Sequence, residues 1–268
     1  MTTMQVEKKL TDAVVYEYWE TKAATAGDDP LVTIRDHHYR ELEIEAIQRH
    51  LSRDDRVLDI GCGNGHATLQ YAPLVRHVTG VDYSPSMIEA AKRLIGSESR
   101  EVQSRTTFAV ADARDLPYED ASFSCVVMER CLINIPDRTQ QITAAAEAAR
   151  VLTKGGLLLL AEVTLQGHEK VNHYRTMFGL DKLKVHWHNT YLDEPTFLKA
   201  ACKHFTLIDT VRFGMYGFLS KVLHPMFSDP KEPSFDGRIN KVAAQIARKI
   251  PDFDGCTHQV MFVLKKKK

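Results

Sequence analysis

The sequence has little of what marks several protein classes. Five cysteines, Cys62, Cys125, Cys131, Cys202 and Cys256, are scattered through 268 residues without a CxxC pair. Reduced thiols are expected, and neither a disulfide framework nor a structural zinc site is supported. His186 and His188 form a close pair, but no HExxH or comparable ligand spacing exists, so no metal is expected. No apolar run approaches the ~20 residues that span a bilayer, and the polar opening MTTMQVEKKL lacks the apolar stretch of a signal peptide. A cytoplasmic protein with no membrane partner is the expectation. Neither sign of charge is in excess, Lys plus Arg and Asp plus Glu both standing at 35, so no net positive field recruits nucleic acid. The closing lysines, Lys265 to Lys268, read as a solvated tail. No internal repeat or low-complexity segment is present.

What is present is an alternation of short apolar runs and helical periodicity. Strands are expected at RVLDI (Arg56 to Ile60), HVTGVD (His77 to Asp82), TTFAVAD (Thr106 to Asp112), SFSCVVME (Ser122 to Glu129), GLLLLAEV (Gly156 to Val163), HFTLIDTVRF (His204 to Phe213) and HQVMFVLKK (His258 to Lys266). The first five are nearly uninterrupted apolar runs, as strands covered on both faces must be. Between them, SPSMIEAAKRLI opens with Ser84 as N-cap and Pro85 at the first helical position, with Met87, Ala90, Ala91 and Leu94 along one face. PDRTQQITAAAEAARVLTKGG is expected to start on Asp137 and to stop at Gly155 and Gly156. Ahead of the first strand, RELEIEAIQRHL repeats Ile44, Ile47 and Leu51 at helical spacing, with Glu45 and Arg49 as an i,i+4 pair. The pattern predicts an α/β chain with a mostly parallel, doubly wound sheet.

Two connections are too long for a compact domain, whose usual links run to about 2 to 6 residues. They lie at about 164–200 and 214–256 and carry aromatics, histidines and arginines. Each follows the C-terminal end of a strand, the edge where open α/β sheets bind ligands, so both are candidate substrate caps.

The glycines of DIGCGNG, Gly61, Gly63 and Gly65, fall between the first strand and the helix HATLQYA. Backbone there approaches a ligand unobstructed, beside the free N–H groups of a helix N-terminus. A tight turn with no ligand is the plain alternative. Asp59, Asp82 and Asp112 stand at the ends of three successive strands and would repel a phosphate. The expected ligand therefore has a ribose and a cationic centre and lacks a pyrophosphate.

VLDIGCGNG, GVDYSPSMIEAAK, VADARDLPYEDASFSCVVMERCLINI and EAARVLTKGGLLLLAEV together resemble the successive motifs of class I S-adenosylmethionine-dependent methyltransferases, over roughly residues 40–165. The resemblance implies a Rossmann-like seven-stranded sheet with the last strand antiparallel and a helical cap built from insertions. It divides the chain into an N-terminal helical cap at 1–40, a cofactor-binding core at 41–165, and a remainder of the same domain at 166–268. It implies that Asp59, Gly61, Cys62 and Gly63 hold the methionine end of the cofactor, that Asp82 holds the ribose hydroxyls, and that Tyr83 and Met87 cover the adenine. Asp112 and Ala113 would receive the adenine amino group, and Glu129 and Arg130 would lie near the sulfonium and amino group. Arg40 and Trp19 fall in the region that folds over the cofactor in this family; a surface ion pair for Arg40 and an apolar contact for Trp19 are the plain alternatives. S-adenosylhomocysteine would be the product.

The chain departs from the common pattern in reading FS at Phe123 and Ser124, and ERCLIN after the fourth strand in place of an Asn-Pro-Pro-Tyr type signature. The second departure weakens nucleic-acid bases and glutamine as acceptors and leaves a small molecule, attacked through oxygen or nitrogen. His186 and His188, flanking Trp187, are the candidate general bases. Arg175, Arg212 and Arg238 are candidate contacts for an anionic acceptor. Two other functions compete. A nicotinamide-dependent oxidoreductase would space its glycines GxGxxG, where this chain has His66 at the last position. A non-catalytic S-adenosylmethionine-binding module would keep the cofactor site alone.

Overall fold

The computed structural model describes residues 10–228 and 235–267. Most of the opening MTTMQVEKKL, Lys268 of the closing tail, and residues 229–234 of the second long connection lie outside them. Helices α1 (Asp12–Ala26) and α2 (His37–Gln48) precede strand β1 (Arg56–Ile60). Then follow α3 (His66–Tyr71), β2 (His77–Asp82), α4 (Pro85–Ile95), α5 (Arg100–Ser104), β3 (Thr106–Val110) and β4 (Phe123–Glu129). Helix α6 (Arg138–Val151) leads into β5 (Leu152–Val163), α7 (Leu165–Met177) and α8 (Glu194–Ala201) into β6 (Phe205–Arg212), and α9 (Gly214–Phe218), α10 (His224–Phe227) and α11 (Arg238–Ala247) into β7 (Gln259–Lys266).

The seven strands form one sheet in the order β3-β2-β1-β4-β5-β7-β6. β7 runs antiparallel to both its neighbours, and the pairings among β3, β2, β1, β4 and β5 are parallel. The sheet has the Rossmann-like arrangement, with all seven expected strands in place. Alternate residues feed two cores on opposite faces. Val57, Cys125, Val127, Leu159 and Val263 pack with α2, α3, α4 and α11. Leu58, Val126, Met128, Leu160 and Phe262 pack with α6 and α8. No helix among the described residues is long and apolar enough to cross a membrane.

Local signals set several boundaries as expected. The Ser84 hydroxyl accepts the Met87 N–H at the start of α4, and the Asp137 carboxylate accepts the Thr139 and Gln140 N–H groups at the start of α6. Three expectations need correction. Helix α6 ends at Val151, four residues before Gly155, because Leu152 already turns extended and pairs with Phe123. Gly155, at φ +77°, instead falls within β5, opposite the irregular register between Phe123 and Cys125. Glu45 does not pair with Arg49; its carboxylate is taken in a fork by Arg248, one residue past α11, at 2.7–3.0 Å. Asp112 lies two residues beyond β3, because its carboxylate accepts the Arg114 N–H at 2.9 Å and turns the chain there.

Candidate functional site

A large cavity of about 1530 Å³ opens at the C-terminal edge of β1, β2 and β4. Its floor is built by the glycine turn. Gly61, Gly63 and Gly65 have φ of +76°, +54° and +78°, a region that favours glycine. At Gly63 a Cβ would meet Thr33 Cγ2 at 2.9 Å, and at Gly61 it would meet Cys131 Sγ at 2.8 Å. The turn is pinned from two sides. Asp82 Oδ2 accepts the Gly63 N–H at 2.9 Å, and the buried Asn64 amide donates to the carbonyls of Gly27 and Asp29, both at 3.0 Å. Asn64 thereby fastens the segment after α1 to the cofactor floor. Glu20 does the same for α1 itself, accepting from the Ser84 and Ser86 hydroxyls at the start of α4.

The expected cofactor-binding and general-base residues line this cavity: Trp19, Arg40, Asp59, Gly61, Cys62, Gly63, Asp82, Tyr83, Met87, Asp112, Ala113, Glu129, Arg130, His186 and His188. Their environments differ. Asp59 is 3% exposed and accepts from the Thr68 hydroxyl; burial pushes its carboxyl up to about 7, with the charges of Glu129 and Asp82 adding. Burial also raises Asp82, to about 6, against the lowering effect of the Ser84 and Gly63 N–H groups. The Tyr83 hydroxyl is buried without a partner, its ring edge-on to Tyr16. Asp112 is gripped by Arg114, which holds its carboxyl below the usual range and competes for the carboxylate assigned to the adenine amino group.

Arg130, at φ +53°, turns its guanidinium toward the buried Glu43 on α2 and toward Glu129, so its charge is balanced inside the protein. Arg40 makes no surface ion pair: it is buried, donates to the Pro30 carbonyl, and has Nε without a partner. Trp19 does more than fill an apolar contact, since its Nε1 donates to Asn134 Oδ1 at 2.9 Å. Of the arginines considered for an anionic acceptor, Arg175 lines the cavity, whereas Arg212 pairs with Glu194 outside it and Arg238 is exposed at the start of α11.

The roof is aromatic. Tyr18 stacks on His188 with centroids 4.3 Å apart and meets Trp187 edge-on at 5.2 Å; Trp19 meets His188 edge-on at 5.7 Å. His188 Nδ1 is buried without a partner, and burial, with help from His186 and Lys22, drops its pKa to about 4. The ring is therefore neutral at physiological pH. His186 lies exposed, 6.0 Å from it between centroids. Sequence reasoning missed Tyr18, Asn64, Glu20 and His258. His258 also lines the cavity, its pKa held well below the usual value by burial, with Lys221 and His168 contributing. Among the described residues, the grouping of His37, His38 and Glu41 lies on the first turns of α2 and is the one constellation with metal-ligand geometry.

The geometry agrees with what comparison finds. Residues 57–156 match the model of the methyltransferase domain family. The methyltransferase GfsG of Streptomyces halstedii is 33% identical over 59% of this chain and 53% of its own length. The 27-O-demethylrifamycin SV methyltransferase of Amycolatopsis mediterranei is 36% identical over 55% of this chain and 50% of its own length. The chain thus spans about half the length of these curated relatives. Among solved structures, the [4+2]-cyclase SpnF superposes with a TM-score of 0.63 at 16% identity, over 96% of this chain and 97% of that one; this likeness shows the fold alone. Motifs, sheet order and the domain match over residues 57–156 all resemble those of the class I S-adenosylmethionine-dependent methyltransferases.

Proposed function

We propose that the protein transfers the methyl group of S-adenosylmethionine to an oxygen or nitrogen of a small-molecule acceptor. The observation that carries this reading is the union, in one cavity, of the glycine turn and two buried carboxylates below with an aromatic and cationic roof above. At about 1530 Å³ the cavity exceeds the ~300–1,000 Å³ usual for one small ligand, which favours two ligands side by side.

The floor fits the cofactor. Asp82 Oδ2 accepts the Gly63 N–H and Oδ1 the Ser84 N–H, and the remaining lone pairs suit ribose hydroxyls. Gly61 and Gly63 let Cys131 and Thr33 pack directly onto the turn where a Cβ would collide with them, and the raised carboxyl of Asp59 marks a place where a positive charge is welcome. In this reading Asp59, Gly61, Cys62 and Gly63 hold the methionine end, Asp82 the ribose, and Tyr83, Met87, Asp112 and Ala113 the adenine. Glu129 and Arg130 stand beside the reacting edge, and Arg40 and Trp19 close over it. When bound, S-adenosylmethionine supplies an electrophilic methyl group on a sulfonium.

The chain's own residues do the rest. The aromatic roof of Tyr18, Trp19 and Trp187 holds the acceptor against the cofactor, so that positioning supplies much of the acceleration. The neutral His188 ring accepts the proton released by the acceptor, and His186 beside it passes the proton to solvent. The name of the rifamycin relative specifies an oxygen acceptor, which favours oxygen here. The test is transfer of a labelled methyl group from S-adenosylmethionine to a panel of phenols, alcohols and amines. Label in an organic product supports the reading. Intact cofactor binding with no transfer to any acceptor would make the protein a binding module instead.

A further inference from the structure

The cap end of the cavity holds a buried positive charge that no carboxylate among the described residues pairs with. Arg175 is 5% exposed, on the third turn of α7. Helical spacing puts His168, Asn172 and Arg175 on the buried face of that helix. Asn172 fixes the returning chain by donating to the Leu183 carbonyl at 3.1 Å and accepting the Leu183 N–H at 2.8 Å. Arg175 Nε donates to the Asp181 carbonyl at 2.7 Å and Nη1 to the Lys221 carbonyl. Both partners are neutral backbone oxygens. Among the described residues Arg175 makes no ion pair, and Nη2 has no acceptor. Burial lowers its pKa; the opposing charge of Asp181 belongs to an exposed side chain that does not line the cavity.

Lys184 adds a second positive charge to the cavity lining; Lys221, which also lines it, is balanced by Asp36, and burial keeps His258 neutral. The carboxylates there are already engaged. Asp36 accepts from the Tyr216 hydroxyl at 2.6 Å and pairs with Lys221 at 3.3 Å, while Asp236 pairs with His37 at 2.9 Å. A buried guanidinium with only carbonyl partners is unfavourable unless a counter-charge arrives, and a planar donor fork suits an oxyanion. Arg130, by contrast, has Glu43 and Glu129 as built-in counter-charges. The difference between these two buried arginines of one cavity is the basis of the inference.

We propose that Arg175 is a specificity-determining residue that receives a carboxylate or similar oxyanion of the methyl acceptor. The acceptor is then an acidic small molecule anchored in the cap, with its nucleophilic atom reaching the floor beside Glu129. Ten residues of helix separate Leu165, at the end of β5, from Arg175, about 15 Å at 1.5 Å per residue. The acceptor is correspondingly elongated. This inference rests on the proposed methyltransferase reading, and the experiment separates the two.

The experiment is calorimetric titration of octanoate and octanamide, equal in length and different in charge, into the full chain saturated with S-adenosylhomocysteine. Saturation by S-adenosylhomocysteine checks the cofactor site first; failure at that step refutes the function and, with it, the premise of this inference. With the cofactor site intact, octanoate is expected to bind at least about 10-fold more tightly than octanamide. Arg175→Gln should bring the two within about 2-fold while S-adenosylhomocysteine affinity stays within about 2-fold, and Arg175→Lys should restore part of the preference. Equal affinities in the wild type, no octanoate binding at all, or a preference that survives Arg175→Gln would overturn the proposal. Should Arg175→Gln fail to fold, hydrogen exchange on the wild-type protein decides. Octanoate must protect residues 172–184, and protection confined elsewhere refutes the site.

Discussion

Asp82, at the end of β2, and Gly63, in the turn after β1, are joined by a carboxylate-to-backbone hydrogen bond of 2.9 Å. One side chain thus shapes the turn and presents its remaining lone pairs to the cavity. Asp82→Ala removes both roles. Each lost hydrogen bond to a charged group is worth ~1.5–3 kcal/mol, so S-adenosylhomocysteine should bind at least about 10-fold more weakly. Calorimetry measures this directly, and unchanged affinity would take Asp82 out of the site.

Cofactor affinity should also depend on pH. In the free protein burial holds Asp59 near 7 and Asp82 near 6, so both are partly protonated in that range. A cationic ligand at Asp59 favours the ionised carboxylate, as do ribose hydroxyls donating to Asp82. Binding then releases protons, and affinity should rise from pH 5 to about 7 and level off above. Titrations in buffers of different ionisation enthalpy should show net proton release at pH 6.5, shrinking by pH 8. Proton uptake, or no pH dependence, would refute the assignment.

The pH profile of turnover tests His188. With its pKa near 4, the ring is deprotonated across pH 5 to 8 and contributes no inflection there. His188→Asn should lower turnover by about 100-fold while leaving cofactor affinity nearly unchanged. The loss should shrink at pH values where the acceptor ionises by itself. Full turnover in the His186→Asn, His188→Asn and double variants would leave positioning alone as the mechanism.

The sheet was legible in the sequence because its signals are local. Apolar runs mark β1 to β5, and Ser84 and Asp137 start their helices through bonds to N–H groups two or three residues away. Gly155 misled the reading because a glycine at positive φ serves a strand irregularity as readily as a helix end. The cavity floor was legible for the same local reason, as glycines and carboxylates next to strand ends. What closes the site was not. Asn64 reaches carbonyls 37 and 35 residues away, Glu20 reaches Ser84 across 64 residues, and Glu43 meets Arg130 across 87. No periodicity announces such pairs. The imbalance at Arg175 likewise becomes visible only once the carboxylates of the described residues around it are placed.

The most direct test of the account is the affinity of S-adenosylhomocysteine for Gly63→Val. A side chain there takes up the strained φ of +54° and drives its Cβ to 2.9 Å from Thr33 Cγ2, which distorts the turn that donates to Asp82 at the cavity floor. The account predicts tight one-to-one binding by the wild type and its loss, by at least about 100-fold, in a variant whose circular dichroism remains native. Normal affinity in that folded variant, or no binding by the wild type, would contradict it.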